Sequence, residues 1–160
     1  MTTATNVLIL LAVLGTGLIA GTFFVFSVAI MSAFKKLPPN EGMAAMKSIN
    51  VVIQNPTFLG VFTGTAAVSL ALGVMSVLNW TPSSYYILAG AALYVIGTFL
   101  LTIAFNVPLN NTLDAADPTT VTGHEVWSKY LKNWTFWNHV RTAASILSTT
   151  AFALSYFRNN

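Results

Sequence analysis

The sequence contains no cysteine and very little charge. Without cysteine, disulfides, thiolate metal ligands and cysteine nucleophiles are excluded. Charged residues make up 7% of the 160 residues, whereas soluble domains average about 25%. The basic residues are few and dispersed, so the net charge of +3 does not indicate a nucleic-acid partner. Motifs of soluble enzymes, such as a phosphate-binding loop, a dinucleotide-binding glycine fingerprint or a nucleophile elbow, are also absent.

The sequence is rich in long runs of apolar residues. Hydrophobic residues make up 55% of the chain, and the mean hydropathy is +0.70. A helix needs about 20 apolar residues to cross a bilayer, and we assign four such spans, at residues 6–34, 56–78, 85–109 and 134–157. We therefore predict an all-α, multi-pass integral membrane protein with residues 1–160 as one domain. The short connection around residues 79–84 favours an antiparallel four-helix bundle.

The two longer connections carry most of the basic residues, which predicts their side of the membrane. In residues 35–55, Asn40 is a candidate cap for an amphipathic interfacial helix that starts at Glu41. Five lysines lie in these two connections, and the opposite side has only Arg158; the lysines are Lys35, Lys36, Lys47, Lys129 and Lys132. By the positive-inside rule, the long connections are cytoplasmic and both termini lie outside.

Glycines spaced four residues apart occur in two of the spans. Gly17 and Gly21 form one pair, and Gly60 and Gly64 form the other. Small residues at this spacing allow membrane helices to approach closely. The pairs would permit a homo-oligomer, but they do not fix the number of subunits.

Polar side chains collect at the ends of the spans that share the predicted cytoplasmic face. They come from the connection before the second span, the end of the third span and the start of the fourth: Asn50, Gln54, Asn106, Asn110, Asn138, His139 and Arg141. Trp134, Trp137, Asn138 and Arg141 follow the i, i+3, i+4, i+7 spacing of one helix face. An arginine at this depth costs about 1–3 kcal/mol unless it is paired or reaches the interface, and no acid lies inside a span.

Two interpretations of this polar group stay open. Tryptophans and an arginine near a helix end are common interfacial anchors. Alternatively, amides, Arg141, His139 and the rings of Trp134 and Trp137 form a pocket for a small, flat aromatic or quinone-like molecule.

Four stretches of the sequence together resemble a known family. They are AGTFFVFSVAIMSAF, AAMKSINVVIQNPTF, FNVPLNNTL and WSKYLKNWTFWNHVRTAAS. In this order they are similar to the anthrone oxygenase-like family of small four-helix membrane proteins, many of whose bacterial members are known only as a domain of unknown function. The resemblance covers nearly the whole chain, and its most specific pieces are NVPLNN and the W..WNHVRT pattern.

The resemblance implies an oxygenase that acts on an anthrone- or quinol-like substrate with molecular oxygen and without a metal or flavin. It places the family's polar motif positions at six residues: His139, Arg141, Trp137, Asn138, Asn106 and Asn110. On this basis we expect His139 to act as the base. Arg141 and Asn138 would stabilise the oxyanion, and the substrate would contact Trp134, Trp137, Asn106, Asn110, Asn50 and Gln54.

Other functional classes remain possible on sequence grounds. One is a mononuclear metal held by His124, Glu125 and His139, and another is a haem held by the two histidines. A third is a non-enzymatic membrane subunit that binds quinone, lipid or a partner protein. The sequence does not decide whether the protein is an enzyme.

Overall fold

The computed structural model describes residues 3–159, which form five helices and no strand. The all-α class is therefore as expected from the sequence. The helices are α1 (Thr3–Phe34), α2 (Pro39–Val52), α3 (Pro56–Leu78), α4 (Ser84–Ala115) and α5 (Val121–Asn159). Met1, Thr2 and Asn160, the terminal residues predicted to lie outside the cell, are not among the described residues.

Three of these helices, α1, α3 and α4, are long and apolar enough to cross a membrane. Helix α3 coincides with the predicted second span. Its Asn55 cap accepts a hydrogen bond from the backbone N–H of Phe58 at 2.9 Å, and Pro56 occupies the first turn, where no N–H is required. The predicted fourth span is part of α5, which is not among the three because polar residues lower the hydropathy of this helix.

Helix α4 continues beyond the predicted end at residue 109 and passes through Pro108. Two π-helical segments, Val95–Leu100 and Thr102–Asn106, precede the proline. Because a π turn shifts the hydrogen-bond register, the missing N–H of Pro108 falls where the helix changes register and a new α-helical turn begins. The predicted span at residues 85–109 is thus the apolar part of a helix that continues to Ala115.

Helix α2 is the helix expected between the first two spans, but it begins at Pro39 rather than Glu41. Pro38 occupies the N-cap position, so Asn40 lies inside the first turn and is not the cap. One face of α2 is buried, and its Met43 and Met46 pack in a cluster with Trp127 and Trp134 of α5. This packing fixes α2 against one end of the long helices.

The four long helices pack in a closed order. Helix α1 contacts α3 and α5, and α4 contacts the same two helices. Along α1 and α5 the contacts run in opposite order, because Thr16 meets Thr149 and Ser27 meets Thr142 through hydroxyl hydrogen bonds of 2.9 and 3.0 Å.

The glycines at the closest helix contacts are not those of the predicted pairs. An added Cβ at Gly97 would lie 2.8 Å from Cβ of Ala144, so α4 and α5 touch there almost backbone to backbone. In contrast, nothing lies within 4 Å of such an atom at Gly21, Gly60 or Gly64. Of the four predicted glycines only Gly17 has such a neighbour within the described chain, Cγ2 of Thr149 at 3.8 Å from an added Cβ. The spacing identifies a helix face without saying which neighbour it meets, and packing of these faces against a second copy stays a prediction.

Candidate ligand-binding cavity around Arg141

A cavity of about 400 Å³ lies where α2 meets the long helices. This volume is within the range of small-molecule sites, roughly 300–1,000 Å³. Its walls are mostly aromatic and aliphatic, and its polar groups are amides and hydroxyls. Arg141 is the one charged residue among the described residues that line it. The sequence-predicted residues that line the cavity are Asn50, Gln54, Asn110, Trp134 and Arg141.

The Arg141 side chain is 4% exposed and is held by two hydrogen bonds. Its Nη2 donates to Oδ1 of Asn138 at 2.8 Å, and its Nη1 donates to Oγ1 of Thr102 at 3.1 Å. The guanidinium carbon lies 4.1 Å from the ring centroid of Phe23 and 5.1 Å from that of Trp134. These rings offset part of the cost of burying the cation.

Arg141 retains unused binding capacity. Its Nε has no hydrogen-bond partner among the described residues, and the cavity lining holds no Asp or Glu. A buried guanidinium without a carboxylate favours any ligand that offers an oxygen anion or a strongly polarised carbonyl. The side chain can therefore bind an oxygen atom at the edge of a ligand.

Asn138 positions Arg141 and does not line the cavity. The Asn138 side chain is fully buried. Its Nδ2 donates to the backbone oxygen of Phe23 and to Oγ of Ser27, both at 2.8 Å, while its Oδ1 accepts from Arg141. The amide thus links α1 to α5 and leaves Arg141 charged, because an amide cannot neutralise it. Asn106, predicted to contact a substrate, instead donates from Nδ2 to the backbone oxygen of Trp134 at 3.3 Å.

Trp134 lines one side of the cavity and is supported from behind by Tyr130. Trp134 is 5% exposed, and its ring stacks on Tyr130 at a centroid distance of 5.9 Å. The Tyr130 hydroxyl donates to Oδ1 of Asn110 at 2.8 Å, and burial raises the pKa of Tyr130 above its ordinary value. Tyr130 therefore stays neutral and orients Asn110, which lines the cavity.

The adjoining wall, here called the α2 wall, contains the amides of Asn50 in α2 and of Gln54 in the turn after it. Gln54 donates from Nε2 to the backbone oxygen of Asn50 at 2.8 Å, which holds the Gln54 side chain beside the end of α2. Asn50 is half-buried and Gln54 is exposed. This wall thus offers a ligand one amide inside the cavity and a second amide near its opening to the surface.

Two of the predicted residues lie elsewhere. His139 is exposed and does not line the cavity. At 100° per residue, His139 lies roughly 160° around the helix from Arg141, so the two side chains leave α5 on nearly opposite faces. A role as the base at this cavity does not fit that position. Trp137 also lies outside the lining, and its ring stacks on Phe105 at a centroid distance of 3.9 Å.

The alternative metal and haem ligands are also far apart. His124 and His139 lie on the continuous helix α5, where 15 residues correspond to about 22 Å along the axis. They cannot share one metal ion or one haem iron within a chain. No group of three or more His, Cys, Asp or Glu side chains with metal-binding geometry occurs in the described part of the chain.

Several cavity residues were not identified from the sequence. Thr102 holds the guanidinium, Tyr130 holds Asn110, and Phe23 covers Arg141. The α5 spacing offered one signal, because Tyr130 lies four residues before Trp134 on the face that Arg141 shares. No comparable spacing marks Thr102 or Phe23, which are ordinary residues of apolar helices.

Comparison with known proteins gives one family match. The model of the anthrone oxygenase family matches residues 57–151, more than half of the chain. The matched region contains Asn110, Trp134 and Arg141 but not the α2 wall. No curated protein and no solved structure matches the chain.

Proposed function

Because the chain belongs to the anthrone oxygenase family, we propose that it is a membrane-embedded oxygenase for a flat phenolic, anthrone- or quinol-like substrate. The observation that carries this proposal is the placement of Arg141. It is the one charged group among the described residues that line an otherwise uncharged, aromatic-walled cavity. Such a cavity fits a planar apolar ring system with an acidic oxygen on its edge.

The proposed architecture is an antiparallel bundle of four membrane-spanning helices. In this arrangement α1, α3, α4 and residues 134–157 of α5 cross the bilayer, and both long connections lie in the cytoplasm. The hydropathy of α1, α3 and α4 supports it, as does the closed packing order in which each long helix contacts two others. The lysines of the two connections support the orientation.

The proposed chemistry begins with deprotonation of the substrate's ring carbon. Loss of a proton from the methylene of an anthrone places negative charge on the ring oxygen, and Arg141 stabilises that oxyanion. The cavity lining has no carboxylate and no imidazole among the described residues, so the proton passes to water. The role of Arg141 is therefore electrostatic: because it stabilises the oxyanion, the methylene carbon of the substrate loses its proton more readily.

The electron-rich carbon then reacts with molecular oxygen. One oxygen atom forms the new carbonyl of the quinone, and the other leaves as water with the two hydrogens of the methylene. The carbon gives up four electrons and the oxygen molecule takes up four. For a quinol substrate, oxygen instead accepts the two hydrogens and two electrons of the ring and leaves as hydrogen peroxide.

A non-enzymatic membrane protein is the second candidate. The observation that favours it is the lack of a titratable base in the described lining of the cavity. In that function Arg141 binds the polar edge of a quinone, a lipid or a partner protein, and no oxygen is consumed.

Oxygen uptake with 1,8-dihydroxyanthrone separates these candidates. The protein in phosphatidylcholine vesicles is compared with protein-free vesicles, which give the rate of spontaneous oxidation. We expect oxygen uptake and quinone absorbance above that rate, and an Arg141→Gln variant should lose at least about tenfold of the excess. Arg158→Gln, at an exposed arginine, is the matched control. Saturable binding of the product quinone without extra oxygen uptake supports the non-enzymatic binding protein. If neither quinone binding nor extra oxygen uptake is seen, both candidate functions are overturned.

A further inference from the structure

The cavity is open on one side, between α3 and α4. Several of its lining residues are exposed, and they come from the turn after α2, from α3 and from α4: Gln54, Leu59, Thr63, Ile103, Val107 and Asn111. The residues that α1 and α5 contribute to the lining, such as Phe23 and Arg141, are buried. The opening is therefore a lateral slot in the wall of the helix assembly.

The slot lies where α3 and α4 stop packing together. Closer to the other end, an added Cβ at Gly73 of α3 would lie 3.3 Å from Cβ of Ala91. Nearer the slot, the Tyr94 hydroxyl of α4 donates a hydrogen bond to the backbone oxygen of Phe62 of α3 at 3.1 Å. Close packing against α3 is confined to the Ser84–Leu100 part of α4.

The margins of the slot are apolar. Leu59, Ile103 and Val107 are 41%, 51% and 39% exposed, and Thr63 is the polar exception. No lysine or acid lines this side of the cavity in the described chain. Leu59 and Thr63 lie three and seven residues after the start of α3, which corresponds to about 5–10 Å along its axis. In a membrane this level is the hydrocarbon next to the interface.

We propose that the slot bounded by Leu59, Thr63, Ile103 and Val107 is the portal through which a bilayer-dissolved planar aromatic ligand reaches Arg141. The inference rests on the proposed function, because it takes the cavity to be a ligand site. A flat ring system fits between two separated helices, and its polar edge meets the guanidinium at the inner end. The portal selects for ligands that partition into lipid and lie flat.

The cysteine-free chain permits a direct test. Thr63→Cys is reconstituted in phosphatidylcholine nanodiscs, and the same variant is compared before and after alkylation with N-benzylmaleimide. The probe is 1,8-dihydroxyanthraquinone, whose binding is followed in a stopped-flow instrument by the quenching of tryptophan fluorescence. Leu70→Cys is the matched control, because Leu70 is exposed on α3 and does not line the cavity. Mass spectrometry verifies that alkylation is complete.

Alkylation at position 63 should slow both association and dissociation at least about tenfold, with the Kd changed less than about twofold. Alkylation at position 70 should leave both rates unchanged. Unaltered rates at position 63 would show that the ligand takes another route, while the proposed binding site would stand. A weaker Kd with an unchanged association rate would make Thr63 a ligand contact and overturn the portal. If Arg141→Gln and the unaltered protein bind the probe equally, the proposed function fails and the portal with it.

Discussion

Asn138 Oδ1 accepts a hydrogen bond from Arg141 Nη2 at 2.8 Å, one helical turn along α5. The same amide donates to α1, so the position of the guanidinium depends on the packing of two helices. An aspartate at this place would neutralise the cation. The amide fixes the guanidinium and leaves its charge for a ligand.

Replacing Asn138 by alanine should destabilise the protein. The substitution removes three hydrogen bonds of the buried amide, to the Phe23 carbonyl, the Ser27 hydroxyl and the Arg141 guanidinium, at a cost of about 2–4 kcal/mol in the free energy of unfolding. Thermal unfolding in dodecyl maltoside measures the effect. Asn133→Ala, at an exposed position of the same helix, should melt with the unaltered protein. Equal melting of Asn138→Ala would show that the amide does not hold the two helices together.

His139→Ala should retain ligand binding and turnover within about twofold, because an exposed surface substitution away from the cavity changes little. Oxygen uptake with 1,8-dihydroxyanthrone and binding of the product quinone are the measurements. Arg141→Gln, assayed in parallel, shows how far turnover and quinone binding fall when a residue that lines the cavity is changed. A large fall in turnover with intact quinone binding would restore the sequence hypothesis that His139 is the base.

Lys47 connects α2 to the end of α4, and Lys47→Met should loosen this connection. The Lys47 Nζ donates to the backbone oxygens of Asp114 and Ala116 at 2.8 and 2.7 Å, where helix carbonyls lack partners within the helix. We expect a loss of about 1–2 kcal/mol of local stability, seen as faster amide exchange in residues 110–116. Lys129→Met, at an exposed lysine, is the control. Unchanged exchange would show that the contact contributes nothing.

Two glycine substitutions should have effects of opposite sign. Gly97→Ala forces Cβ atoms of α4 and α5 to within 2.8 Å and should cost about 1–3 kcal/mol. At Gly64 nothing lies within 4 Å, and alanine should add about 0.5–1 kcal/mol through reduced backbone freedom. Melting temperatures of both variants in the same detergent provide the comparison. Destabilisation by Gly64→Ala would instead indicate that this face packs against another chain.

The sequence predicted the helices better than their ends. Long apolar runs identify α1, α3 and α4, because an uninterrupted apolar stretch of this length is typical of a membrane-spanning helix. The continuation of α4 past Pro108 was not predicted, because the π-helical segments before this proline depend on hydrogen-bond register, which composition does not show. The same limit applied to the glycines, where spacing reveals a shared face but not the partner opposite.

The site was predicted in part for a similar reason. Topology alone brings Asn50, Asn110 and Arg141 to one end of the helices, and the structure places all three around the cavity. His139 was included because the family resemblance places a motif position there and because imidazole is a suitable base. Neighbouring residues on a helix diverge by 100° per step, so nearness in sequence did not place its side chain at the cavity.

Trp134 Nε1 and Arg141 Nε are buried without a partner among the described residues. A molecule that accepts hydrogen bonds from these two donors binds the folded chain and not the unfolded one. Its binding energy therefore adds to the stability of the whole protein, by about 2.7 kcal/mol at a ligand concentration one hundred times the Kd. The shift in melting temperature with each member of a set of phenols and quinones would thus rank these ligands by affinity, without a measurement of turnover.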